Sequence, residues 1–118
     1  MVNSKQKGAA GEREFAQFCR EHGFENVRRG QQFSAIDEQG KQHPDVVGLP
    51  GCHVEVKRVQ LLNVNRAMEQ SIREAGIGRF PIVAHRKNGK GWLVTMKAED
   101  WFPLYGAWEA KTFLKIKV

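Results

Sequence analysis

The amino-acid sequence predicts an α/β or α+β domain in which helices pack on a mixed central sheet. Three observations support this fold class. An apolar helical periodicity near the N-terminus ends at a glycine, several short central segments alternate apolar and polar residues, and a second helical pattern lies between those segments. The length of 118 residues suits one hydrophobic core. We therefore expect a single domain that spans residues 1–118.

The first helix is predicted over residues 8–22, and Gly23 is a favourable residue for ending it. At about 100° per residue, one apolar arc of this helix contains Phe15, Ala16, Phe18 and Cys19. Glu12 lies inside the arc, whereas Glu14 and Glu21 lie on the opposite side, towards solvent. An inward carboxylate is costly unless it is paired, so Glu12 is a candidate functional residue.

The centre of the chain is predicted to form strands. Residues 24–29 are the first, a polar loop follows, and residues 45–49 are the second. Pro50-Gly51 is typical of a turn. Residues 52–57 alternate with a period of two. One face of this strand carries Cys52, Val54 and Val56, and the other carries His53, Glu55 and Lys57.

A second helix is predicted to begin after Asn63 as its N-cap and to end at Gly76. Phe80–Arg86 and residues 91–96 are predicted strands of a hairpin, because Asn88-Gly89 is a strong hairpin signal. Two further segments complete the predicted domain, a short amphipathic one around Trp101-Phe102 and an apolar end over residues 112–118.

The chain is basic, with 19 Lys+Arg against 13 Asp+Glu, a formal net charge of +6 and a pI of about 9.6. Such a balance favours polyanion binding, although it does not separate DNA from RNA or an acidic membrane. No apolar run has the length of a signal peptide core or a membrane span, so we expect a soluble cytosolic protein. The two cysteines and the scattered histidines argue against a disulfide scaffold or a structural zinc site.

Asp45 and the strand residues Glu55 and Lys57 form the constellation that suggests chemistry. Phosphodiester hydrolysis requires a hard cation, and Mg²⁺ prefers carboxylate and carbonyl oxygens. Asp45 and Glu55 can supply carboxylates, the carbonyl of Val56 a third oxygen, and Glu12 a further carboxylate from the first helix. Lys57 can orient the attacking water or stabilise charge on the phosphate.

This arrangement sets a condition on the turn. If Pro50-Gly51 formed a strict two-residue hairpin loop, Asp45 would lie opposite Val56 and face away from Glu55. The active-site interpretation therefore requires a loop that is one residue longer, or a bulge, since a slip of one residue reverses every side chain.

In these segments the chain resembles archaeal-type Holliday junction resolvases and their phage relatives, which are PD-(D/E)XK nucleases. The resemblance rests on residues 7–14 (KGAAGERE), 22–24 (HGF), 27–28 (VR), 44–47 (PDVV) and 55–57 (EVK), and continues weakly through 81–84 and 91–92. It implies a restriction-endonuclease-like fold, a homodimer, Mg²⁺ dependence with Mn²⁺ able to substitute, and paired nicks in four-way DNA junctions. Position by position, Glu12, Asp45 and Glu55 match the family's acidic residues and Lys57 its lysine. The loop over residues 31–42 departs from the family pattern, because it is long.

Each candidate also has a structural interpretation. Glu55 and Lys57 could be an exposed pair on an edge strand, Asp45 could begin a strand, and Glu12 could pair with Arg28 or Lys57. A non-catalytic DNA-binding module, or a nuclease acting on flaps, linear duplex or RNA, remains an alternative. Gln70 could position water or DNA. The candidate phosphate contacts are Lys5, Lys7, Arg13, Arg28, Arg29, Arg58, Arg66 and Arg73, and the candidate dimer contacts are Trp101, Phe102 and Leu104.

Overall fold

The computed structural model describes residues 4–30 and 44–117, with side chains described for residues 8–30 and 44–112. The helices in these ranges are α1 (Ser4–Glu21), α2 (Val64–Ala75) and α3 (Ala98–Lys117). The strands are β1 (Arg28–Arg29), β2 (Val46–Val47), β3 (Cys52–Arg58), β4 (Phe80–Arg86) and β5 (Leu93–Met96). The predicted loop over residues 31–42 lies outside the described residues. No helix in the described ranges combines the length and apolarity needed to cross a bilayer.

The strands form one mixed sheet in the order β1-β2-β3-β4-β5. β3 and β4 are parallel, and the remaining neighbours are antiparallel. A parallel pair requires a long crossover, which α2 provides between β3 and β4. The predicted α/β class, with helices on a mixed central sheet, is confirmed.

Helix α1 covers one face of the sheet. Phe15, Ala16 and Cys19 are buried against Val54 and Val56 of β3. The predicted inward arc is therefore correct for these residues, whereas Phe18 at its border is 36% exposed. Gly23 has a φ of 96° just after the helix, which a residue with a Cβ rarely adopts.

Helix α2 covers the opposite face of the sheet. Its predicted N-cap is confirmed, because Asn63 Oδ1 accepts a hydrogen bond from the backbone N–H of Arg66 at 3.0 Å. Met68 packs against Val83 of β4, and the Ser71 hydroxyl donates to the carbonyl oxygen of Ile82 at 3.1 Å. The polar face of β3 thus lies beneath a helix rather than in water, which excludes an exposed edge-strand pair.

A one-residue bulge lies between β2 and β3. The Cys52 N–H donates to the carbonyl oxygen of Leu49 at 3.1 Å and closes the Pro50-Gly51 turn. A regular hairpin closed in this way would pair Val46 with Glu55, yet Val46 pairs with Val54. The extra residue is accommodated on the β2 side, where Gly48 has a φ of 104°. The bulged connection that the active-site interpretation required is present.

Several boundaries differ from the sequence prediction. α1 begins at Ser4 rather than at residue 8, and β5 is limited to Leu93–Met96. β1 is limited to Arg28–Arg29, because the residues before it form a turn in which the Val27 N–H donates to the carbonyl oxygen of Phe24 at 3.2 Å. β2 is limited to Val46–Val47 and is followed by the bulge at Gly48. The C-terminal prediction of two separate segments was wrong, since α3 is one helix from Ala98 to Lys117 that contains Pro103. Pro103 lies in the second turn of this helix, where its missing N–H removes one i to i−4 hydrogen bond without ending the helix.

Candidate active site

The bulge brings Asp45 and Glu55 together beside the polar face of β3. Asp45 Oδ2 accepts a hydrogen bond from the backbone N–H of Val56 at 2.8 Å. The two carboxyl groups are also in hydrogen-bonding contact with each other. Burial raises the pKa of Asp45, and the Val56 N–H and the charge of Lys57 oppose that rise.

Glu55 is the most deeply buried carboxyl group of the site, with 3% of the residue exposed. Burial, followed by a hydrogen bond with Glu74 and the charge of Asp45, raises the pKa of Glu55 to about 10. Glu55 is therefore protonated at neutral pH unless a cation replaces its proton. Such a carboxyl group is a typical feature of a functional site.

Glu12 approaches the same site from α1. Its side chain is 12% exposed, and its Oε1 accepts a hydrogen bond from Arg29 Nε at 3.0 Å. Burial, and then the charge of Asp45, raise the pKa of Glu12, although Arg29 lowers it in part. The structural pairing expected with Arg28 or Lys57 is not what the structure shows, because the partner is Arg29.

Lys57 is held in the site by a side chain of α2. Its Nζ donates to Gln70 Oε1 at 3.2 Å, and Gln70 Nε2 donates to Glu74 Oε1 at 3.3 Å. Gln70 therefore belongs to the site rather than to the solvated surface of α2. The structure thus brings Asp45, Glu55 and Lys57 into one cluster with Gln70.

Sequence reasoning missed Glu74, and it placed His53 on the face of Glu55 without assigning it to the site. Both contact Glu55, since His53 Nε2 lies 2.9 Å from Glu55 Oε1 and Glu74 shares a hydrogen bond with Glu55. Burial lowers the pKa of His53 to about 4, so its imidazole is neutral at pH 7. The available signal was the i, i+4 spacing of Gln70 and Glu74, which places both on one side of α2.

The basic candidates have different surroundings. Arg29 is held by Glu12, and Arg58 Nε contacts Glu14 Oε2 at 3.3 Å while Arg58 Nη1 donates to Asn88 Oδ1 at 2.6 Å. Arg28 is exposed, and its Nη1 donates to the carbonyl oxygen of Asn26 at 3.0 Å. The other exposed candidates are Arg13, Arg66 and Arg73. The side chains of Lys5 and Lys7 lie outside the described residues.

Comparison with known protein families identifies one family that matches this chain. The model of the archaeal Holliday junction resolvase family (Hjc) matches residues 3–100. No curated protein and no solved structure matches the chain. The matched residues include α1, the whole sheet and the carboxylates described above. Membership of this family implies nuclease activity of the Holliday junction resolvase type. Since the match extends over most of the chain, the protein belongs to the archaeal Holliday junction resolvase family, within the restriction-endonuclease-like superfamily.

Proposed function

We propose that the protein is a divalent-cation-dependent endonuclease that resolves four-way DNA junctions by paired nicks, with Glu12, Asp45, Glu55 and Lys57 as its catalytic residues. The observation that carries the proposal is the convergence of Asp45, Glu55 and Lys57, which depends on the bulge between β2 and β3. If the Pro44-Asp45 and Glu55-Val56-Lys57 motifs occurred together by chance, nothing would favour a bulge between β2 and β3. The observed bulge produces the register that places Asp45 beside Glu55.

The donor set fits Mg²⁺, with Mn²⁺ able to replace it. Asp45 and Glu55 offer adjoining carboxylates, and the carbonyl of Val56 and the carboxylate of Glu12 offer further hard oxygens. The pKa values of all three acidic residues are raised by burial. A divalent cation offsets this cost, because it stabilises the ionised forms. When bound, such an ion polarises the phosphate and lowers the pKa of a coordinated water.

Lys57 performs the remaining part of the chemistry in this proposal. The amide oxygen of Gln70 holds its ammonium group beside the acidic cluster. From that position Lys57 orients the attacking water or stabilises negative charge that develops on the phosphate. Gln70 acts through Lys57, so it is a positioning residue.

DNA binding would use exposed basic residues of the chain. Arg28, Arg13 and Arg66 are exposed and contribute to the net charge of +6. Phosphate contacts of this kind give affinity without sequence preference and weaken as salt rises. Symmetric resolution of a junction also requires two cuts, which a C2 homodimer with one site per protomer supplies.

The test is cleavage of a four-way junction and of a linear duplex of the same sequence, each with Mg²⁺. We expect paired nicks in the junction and little cleavage of the duplex. Asp45→Asn and Lys57→Ala should abolish cleavage, and Lys57→Ala should still bind Mg²⁺ because Lys57 is not a ligand. Junction binding without cleavage by the unaltered protein would instead indicate a non-catalytic DNA-binding module, and equal cleavage of both substrates a nuclease without junction preference.

A further inference from the structure

A second group of metal-ligating side chains lies on the α2 side of Glu55. His53 of β3 and Glu74 of α2 meet there, and one ligand atom from each of His53, Glu55 and Glu74 lies within 4.8 Å of the others. His53 Nε2 is 2.9 Å from Glu55 Oε1 and 3.8 Å from Glu74 Oε2. None of the residues assigned above to catalysis, apart from Glu55, belongs to this group.

These separations suit ligands of one ion. Two donor atoms that are each about 2.1 Å from a cation lie about 3.0 Å apart when they subtend a right angle, and further apart at wider angles. The distances of 2.9 and 3.8 Å from His53 Nε2 fall in this range. The three side chains therefore need little rearrangement to share a cation.

The ring of His53 is directed at the carboxylates through Nε2. The residue is completely buried, and its Nδ1 has no hydrogen-bond partner within the part of the chain that the structure describes. Polar contacts of the ring run from Nε2 to Glu55 and Glu74. A buried polar ring is costly unless it is compensated, and the two carboxyl groups, or a cation held between them and Nε2, provide that compensation.

We propose that His53, Glu55 and Glu74 form a second divalent-cation site, in which Glu55 bridges to the site at Asp45. An imidazole added to two carboxylates favours Mn²⁺ over Mg²⁺, because nitrogen donors suit first-row transition metals. Paired ions joined by a carboxylate are a known arrangement for in-line displacement at phosphate. The inference rests on the proposed function in one respect, namely that Glu55 is also a ligand of the catalytic ion.

The experiment is a titration of the DNA-free protein with Mn²⁺ alone, followed by electron paramagnetic resonance. We expect two ions per chain, one of which shows ¹⁴N coupling from an imidazole in the pulsed spectrum. Glu74→Gln should reduce the number to one and remove the coupling. Glu69→Gln is the matched control, since Glu69 is exposed on the same helix and should leave two ions. His53→Asn should also remove the coupling.

One ion per chain without ¹⁴N coupling, or two ions with coupling in Glu74→Gln, would overturn the second site. Because Glu74 is partly exposed, its variant should fold even if replacement of the buried His53 disturbs the core. Failure of the proposed function has a different signature. In that case Asp45→Asn would retain junction cleavage, whatever number of Mn²⁺ ions the Glu74→Gln protein binds.

Discussion

Glu12 and Glu14 lie two residues apart on α1, yet they have different surroundings. Glu12 faces Asp45 and pairs with Arg29, and its side chain is 12% exposed. The Glu14 side chain is 34% exposed, contacts Arg58 Nε at 3.3 Å, and also pairs with Arg86. The sequence places Glu14 on the solvent side of α1, and the structure adds that two arginines from the strands reach it there.

Replacing each of these carboxylates separates a catalytic role from a structural one. Glu12→Gln should lower junction cleavage by orders of magnitude, with thermal stability unchanged or slightly raised without metal, because the raised pKa shows that its charge is disfavoured. Glu14→Gln should leave cleavage nearly intact, since part-exposed ion pairs contribute only about 0–1 kcal/mol each. Single-turnover cleavage and thermal melting measure both effects. Equal cleavage by the two variants would show that Glu12 is structural.

The raised pKa of the buried Glu55 carboxyl group predicts how the stability of the metal-free protein depends on pH. Its pKa rises from 4.5 to about 10, so between these values the folded state holds a proton that the unfolded state releases. This group therefore makes the protein less stable as pH rises through that window. Glu55→Gln should melt at a higher temperature than the unaltered protein, by a margin that grows from pH 5 to pH 9.

Saturating Mg²⁺ provides the check on this linkage. The ion should stabilise the unaltered protein, because it replaces the carboxyl proton of Glu55. It should have little effect on Glu55→Gln, because the glutamine amide has no ionisable proton and is a weaker ligand. Differential scanning fluorimetry at several pH values gives both comparisons. A margin that stays constant with pH would show that Glu55 is ionised in the folded protein.

At the scale of single residues, the sequence indicated four candidate site residues, Asp45, Glu55, Lys57 and Glu12. It gave no comparable signal for His53 and Glu74. The first group is close in sequence or lies on a recognisable helical arc. Glu74 reaches Glu55 only because the crossover helix α2 returns over β3, which is a long-range contact. A lone histidine in a strand likewise carries no signal until the residues above it are known.

Among the secondary-structure elements, those with strong local signals were predicted well. β3 and α2 follow from alternation and from the Asn63 cap, and the β4–β5 hairpin follows from Asn88-Gly89. β1 and β2 are short strands, and their extent is decided by pairing across the sheet rather than by propensity.

The bulge at Gly48 offers a test of how the β2–β3 connection builds the site. A Cβ at Gly48 would lie 2.5 Å from the carbonyl oxygen of Asn26, and the φ of 104° is unfavourable for any other residue. Gly48→Ala should therefore distort the bulge, move Asp45 away from Glu55 and strongly reduce cleavage. The cost in stability should exceed the roughly 1–2 kcal/mol of a left-handed non-glycine residue.

Gly51→Ala is the matched control for that variant. Gly51 has a φ of 83° in the same connection, but a Cβ there would meet nothing within 4 Å. Its variant carries the backbone strain without the clash, so it should lose stability modestly and keep most of its cleavage. If Gly48→Ala cleaves as well as Gly51→Ala, the bulge does not determine the position of Asp45.

At the scale of the whole molecule, the most conspicuous feature is α3. Most of it lies beyond the residues matched by the family model, and it makes few contacts with the sheet or the other helices. Several of its large apolar side chains are exposed, among them Phe102 at 62% and Trp108 at 61%. The rings of Trp101 and Tyr105 stack at a centroid distance of 5.0 Å along one side. An apolar surface of this kind on an isolated helix indicates a missing partner.

A second copy of the chain is the partner that the proposed function requires, because paired nicks need two sites. We therefore expect α3 to contribute to a C2 interface that includes Trp101, Phe102 and Leu104. Phe102→Glu or Trp108→Glu should convert a dimer to monomers in sedimentation velocity at micromolar concentration. Paired nicking should then decline to unpaired single nicks, with the chemistry at each site retained. Glu109→Gln, at an exposed polar position of the same helix, should leave the dimer unchanged. A stable monomer with full paired-nicking activity would contradict the dimer, and a dimer that survives both glutamate variants would place the interface elsewhere.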